Sequence, residues 1–89
     1  MGHIIKRRGH KEQYDERKIY ASVYNACLNS HLPVSQAEKI AGKVSLEVTR
    51  WISENQITLS EDIFKKTIEL LKPENKDAAF MYETHRDLS

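Results

Sequence analysis

IIKRRGHKEQYDERKI, residues 4–19, holds six of the 14 lysines and arginines of the chain, and its reading decides how the rest is understood. Two short segments rich in Ile and Tyr, HIIKR and KEQYD, flank Arg8-Gly9-His10. That order predicts a β-hairpin over residues 3–14, with Gly9 supplying the positive φ that such a turn usually needs. The strands are too polar to be buried on both faces. A lone hairpin is marginal in water, so this one must lie on something the remaining residues provide.

Those residues read as helices. Asp15 is a natural N-cap for a helix over about 16–30, with Ile19, Val23 and Cys27 spaced by four along one stripe. HLPVS interrupts it, and Ser35-x-x-Glu38 predicts a capping box for a second helix over about 36–54. Ala37, Ile40, Ala41, Val44, Val48, Trp51 and Ile52 make the cleanest apolar stripe in the chain. NQITLS is a connector with two β-branched residues, where a short third strand beside the hairpin is expected. Ser60 is read as the cap of a third helix over about 61–72, with Glu61 and Asp62 at its positive end. Ile63, Phe64, Thr67, Ile68 and Leu71 form its core face, and Pro73 ends it. A last helix over about 75–87 carries Ala78, Ala79, Tyr82 and Arg86. The expected class is α+β: one domain over residues 1–89, a four-helix bundle capped by a small β-sheet.

Composition narrows the function. The 89 residues suffice for one core. Net charge is +1, but residues 1–18 carry +3 and the remaining 71 carry −2. A protein that coats nucleic acid by charge alone has a larger basic excess, so the local field suits a small anion better. Cys27 is alone, which removes disulfides and cysteine zinc sites; as a stripe residue it is expected to be a buried small side chain. His3, His10, His31 and His85 show no metal-ligand spacing, and no metal site is expected. Trp51 reads as core, Lys65, Lys66 and Lys72 as solvent-facing, and Arg86 as an ion-pair tie for the last helix. No apolar run approaches a membrane span and the start lacks a signal-peptide core, so the expected compartment is the cytoplasm. No nucleophile sits beside a base and no lysine follows a Gly-rich phosphate loop, so the chain is not expected to be an enzyme.

Binding chemistry is another matter. Lys6, Arg7 and Lys18 suit phosphates, as point charges and a bidentate fork near a helix N-terminus. Asp15 and Glu16 would repel a phosphate set squarely there, so the acids suit a different part of the ligand. Carboxylates accept hydrogen bonds from sugar hydroxyls and exocyclic amino groups, and a Glu reading the base favours adenine over guanine. Cations for phosphates and acids for base and sugar describe a nucleotide site. A solvated edge that discourages strand pairing remains the competing reading.

At these residues the chain resembles the ATP-cone domain. That family's opening is Lys-Arg-Asp/Asn-Gly-x-x-Glu-x-Phe/Ile-Asp/Asn-x-x-Lys-Ile/Leu, which falls on Lys6, Arg7, Arg8, Gly9, Glu12, Tyr14, Asp15, Lys18 and Ile19. AEKIAGKV, SEDI and Ala78, Tyr82 and Arg86 extend the likeness along the chain. The resemblance implies a four-helix bundle covered by a small sheet, with ATP or dATP as effector and Mg2+ as a candidate companion. It implies that Ile4 and Tyr14 flank the base, that Lys6, Arg7 and Lys18 meet phosphates, and that Glu12 and Asp15 hold base and sugar. Gly9 lets the nucleotide in. Arg8 replaces the usual acid or Asn, which implies a different turn or an extra phosphate contact. Phe64 stands where some relatives carry a His near the sugar, which bears on ATP against dATP.

ATP-cones occur mostly in ribonucleotide reductases and also, behind a zinc ribbon, in a bacterial repressor of the reductase genes. A chain with one Cys makes no zinc ribbon, so the repressor as usually organised is not expected here. The resemblance implies a regulatory domain acting through nucleotide-dependent association. Candidate partners are a reductase catalytic domain or subunit and a second copy of the chain. Membrane is not expected, and direct nucleic-acid contact is disfavoured. The alternative is a nucleic-acid- or protein-interaction domain that uses the basic hairpin without sensing nucleotide.

Overall fold

The computed structural model describes residues 4–7, 10–54 and 57–84, giving the backbone alone at residues 4, 6, 7, 10, 12, 57 and 58. Arg8, Gly9, His3, His85 and Arg86 lie outside the described residues, and with them the readings made of the turn and the last ion pair.

Apolar periodicity places four helices. α1 (Glu16–Asn29) buries Val23, Ala26 and Cys27. α2 (Val34–Ile52) buries Ala37, Ile40, Ala41, Val44, Ser45, Val48 and Ile52. α3 (Ser60–Leu71) buries Ile63, Thr67 and Leu71, and α4 (Lys76–Thr84) buries Ala78 and Ala79. α1 packs on α2 and α4, and α3 packs on the same two helices from the other side. Three strands complete the described chain. β1 (Ile4–Arg7) pairs antiparallel with β2 (His10–Gln13) and parallel with β3 (Ile57–Leu59), in the order β2-β1-β3.

The balance between these elements corrects the α+β expectation. Helices of 14, 19, 12 and 9 residues carry the core, whereas the strands have 4, 4 and 3 residues. Of the four strand side chains described, Ile5 is buried, and Lys11, Gln13 and Leu59 are exposed. Strands this short and polar offer too little apolar area to form a layer of their own. The fold is a helical bundle, and the strands are a minor appendage whose main helical neighbour is α3.

Two helix starts also depart from the sequence reading. α2 begins directly after Pro33, which holds the N-cap position with φ −61° and ψ 151° and makes no side-chain cap. Proline's fixed φ suits entry to a helix, so Ser35 falls inside the first turn instead of capping it. β3 runs straight into α3, leaving Leu59 at the N-cap position and Ser60 already helical. Asp15 does cap α1, and the Asn75 side chain accepts from the Ala78 N–H at 2.8 Å to start α4.

α1 ends in a way the sequence did not announce. The His31 N–H donates to the Leu28 carbonyl at 3.0 Å and the Leu32 N–H to the Cys27 carbonyl at 3.1 Å. These are the paired bonds of a Schellman motif, whose left-handed position usually falls to glycine. Here it is held by His31 at φ 68°. Leu32 follows and packs on the core, completing the apolar contact typical of the motif.

Cys27 is fully buried and desolvation pushes its thiol up, the environment of an inert core residue. Trp51 packs on the core and is half-buried. Lys66 departs from the solvent-facing expectation. Its Nζ sits 5.6 Å from the Trp51 ring centroid and 3.1 Å from Glu69 Oε2, while Lys65 and Lys72 are exposed. Covering an aromatic face with the lysine stem explains why it leans inward.

Candidate functional site

The hairpin brings its charges together by register. Ile5 lies opposite Glu12 on one side and Thr58 on the other; Lys6 lies opposite Lys11 and Leu59; Arg7 lies opposite His10. Ile4 stands between Gln13 and Ile57. β1 is therefore the central strand, and Lys6 and Arg7 follow the buried Ile5 along it.

From β2 the chain passes through Tyr14 and Asp15 into α1, so the hairpin and the helix N-terminus are joined by two residues. Tyr14 is half-buried against the core, and its hydroxyl shares a hydrogen bond of 2.8 Å with Thr49 Oγ1 of α2. Burial raises its pKa; the bond to Thr49 opposes that rise, and the nearby Glu16 and Asp15 carboxylates and Tyr82 add to it. The phenol stays protonated and can both donate and accept.

Asp15 has two duties at once. Its Oδ1 accepts from the Arg17 N–H at 3.0 Å and from Arg17 Nε at 3.1 Å, and Oδ2 accepts from Nη2 at 3.3 Å. The hydrogen bonds from the Arg17 side chain and backbone hold this carboxyl below the usual carboxylate range, with Lys18 adding to the effect. A carboxylate offers about four acceptor sites. Three are taken, and the free capacity lies on Oδ2. Lys18 is exposed on the first turn of α1.

Phe64 is on α3, half-buried, with its ring stacked on Tyr82 of α4 at 5.5 Å and 24°. Of the residues singled out from sequence, the structure gathers Tyr14, Asp15 and Lys18 at the start of α1. It sets Ile4, Lys6 and Arg7 along β1 and Glu12 across from it, and puts Phe64 in an aromatic pair between α3 and α4. Thr49 and Tyr82 join this neighbourhood without having been singled out for it. The signal for Thr49 is faint: a hydroxyl one residue past the buried Val48, at the border of the α2 stripe. Among the described residues no group of His, Cys, Asp and Glu could hold a metal ion, and no helix is long and apolar enough to cross a membrane.

The arrangement is a pair of short strands leading into a capped helix on a four-helix bundle, the architecture of a small domain. The chain belongs to the ATP-cone family: the ATP cone domain model matches residues 2–86. ATP-cone domains bind adenine nucleotides as effectors, which makes this a nucleotide-binding regulatory domain. The chain is similar to the transcriptional repressor NrdR of Petrotoga mobilis (strain DSM 10674 / SJ95), 32% identical over 89 residues. That match covers 96% of this chain and 58% of the relative, so the chain spans little more than half of the repressor's length. No solved structure matches the chain.

Proposed function

We propose that this domain binds ATP or dATP at the hairpin and the start of α1, and that occupancy changes how it associates with a partner. The observation that carries the reading is the ATP-cone match over residues 2–86, together with the Lys6-to-Ile19 pattern that lies within it. Lys6, Arg7 and Lys18 take the phosphates, Mg2+ accompanying them; Glu12 and Asp15 take base and sugar; Ile4 and Tyr14 flank the base. Gly9 lets the nucleotide in, Arg8 offers a different turn or an extra phosphate contact, and Phe64 is the candidate near the sugar. In this reading the nucleotide acts as an effector, so the free energy available for regulation is the difference in nucleotide affinity between two states, typically about 1–3 kcal/mol.

The regulated partner in this reading is a ribonucleotide reductase subunit or a second copy of the chain. Isothermal titration of ATP, dATP and GTP into the folded domain tests it. Heat for the adenine nucleotides that disappears in Lys6→Ala/Lys18→Ala supports the site. Absence of heat for both adenine nucleotides in a folded sample ends the proposal.

The relative's name as a transcriptional repressor favours a second reading, in which the basic hairpin touches nucleic acid directly. It requires salt-sensitive DNA or RNA binding that is lost when Lys6, Arg7 and Arg8 become Ala and is indifferent to ATP. The net −2 charge of residues 19–89 weighs against it.

A further inference from the structure

The bond between Tyr14 and Thr49 ties to α2 the link between two elements that a single ligand would have to grip together. Glu12 lies on β2, Asp15 and Lys18 lie at the start of α1, and Tyr14 is in the short link between them. Its hydroxyl bonds to Thr49 of α2 at 2.8 Å, across 35 residues of sequence, and its ring packs on the core. The hydrogen bonds of Asp15, by contrast, stay within the first turn of α1. Tyr82, stacked on Phe64, contributes to the electrostatics at Tyr14, so α4 and α3 border the same spot.

We infer that Thr49 is a positioning residue for nucleotide binding: by holding the Tyr14 hydroxyl it fixes the spacing between the strand that carries Glu12 and the helix that carries Asp15 and Lys18. This rests on the reading under Proposed function. Without the bond every ligand-contacting group is still present, but the link must be ordered when the ligand arrives, and that ordering weakens binding. Thr49 touches no ligand in this scheme. A net hydrogen bond of about 1 kcal/mol corresponds to roughly a fivefold change in affinity.

The test compares Thr49→Val, which keeps the shape and loses the hydroxyl, with Thr49→Ser, which keeps the hydroxyl and loses a methyl. Titration with ATP at a temperature where all variants are folded is expected to show affinity lowered roughly fivefold in Thr49→Val and near wild type in Thr49→Ser. Tyr14→Phe added to Thr49→Val should weaken binding by less than the two single effects combined. Amide hydrogen exchange without ligand should rise at residues 11–15 in Thr49→Val and stay unchanged across the α3–α4 core. Wild-type affinity in Thr49→Val, or an equal loss in Thr49→Ser, overturns the inference, since the methyl rather than the hydroxyl would then matter. Wild-type protein that takes up neither ATP nor dATP overturns the functional reading instead. In that case exchange at residues 11–15 still decides whether the bond holds the link.

Discussion

At the scale of single residues, Asp15 shows how much one side chain can reveal in advance and how much it cannot. Its place before an apolar stripe marks it as an N-cap, and it is one. That Arg17 would fold back onto the same carboxylate was not legible, because i to i+2 pairing depends on a rotamer rather than a spacing. The consequence is a signed pH dependence. Asp15 titrates below its ordinary value in the folded chain, so its contribution is present above the unfolded value near 4 and is lost as pH falls through the folded one. Urea midpoints followed from about pH 5 down to about pH 2 should therefore fall less steeply in Asp15→Asn than in the wild type. His31 supplies a second prediction. A side chain at φ 68° in a Schellman motif is strained where glycine is not. His31→Gly should raise stability by about 1 kcal/mol in denaturant unfolding, despite glycine's entropic cost elsewhere. Histidine gave no hint of this role, since glycine is the residue that announces it.

The elements themselves were more legible than their ends. The stripes of α1, α2 and α3 are dense enough that Val23, Val44, Val48, Ile63 and Leu71 are buried where their spacing puts them. Boundaries shifted where chain direction outweighed capping chemistry: Pro33 set the start of α2, and β3 ran into α3 without a break. The importance given to the strands was the larger misreading. Ile and Tyr in the opening segment favour pairing, but pairing alone does not bury enough to form a layer. α2 also carries an interior glycine with no steric claim on it. A Cβ at Gly42 would meet Tyr20 Cε2 at 4.0 Å, ordinary van der Waals contact. Gly42→Ala should stabilise the domain by about 0.5–1 kcal/mol, read as a higher urea midpoint at unchanged slope. A decrease would mean that the α1–α2 packing is tighter than this distance indicates.

For the molecule as a whole, the candidate site lies where most of the stabilisation does not. The core is mainly helical; of the four strand side chains described, Ile5 is buried and Lys11, Gln13 and Leu59 are exposed. Nucleotide binding should therefore add to a stability supplied by the helices. At a ligand concentration of about 100 Kd the gain is about 2.7 kcal/mol, enough to shift the melting temperature of a domain this size by several degrees. The shift should vanish in Lys6→Ala/Lys18→Ala while the unliganded melting temperature stays near wild type. Equal shifts in both proteins would place the ligand elsewhere.

The strand order has a consequence in time. β1 precedes the other elements of the domain, yet it occupies the middle of the sheet, and its parallel partner β3 is made only after α1 and α2. Helices can begin to form from neighbouring residues, but pairing β1 with β3 must close a loop spanning most of the chain. On a growing chain β1 thus waits longest of the strands for its final neighbour, and the sheet that carries the proposed site is among the last parts of the domain to be completed.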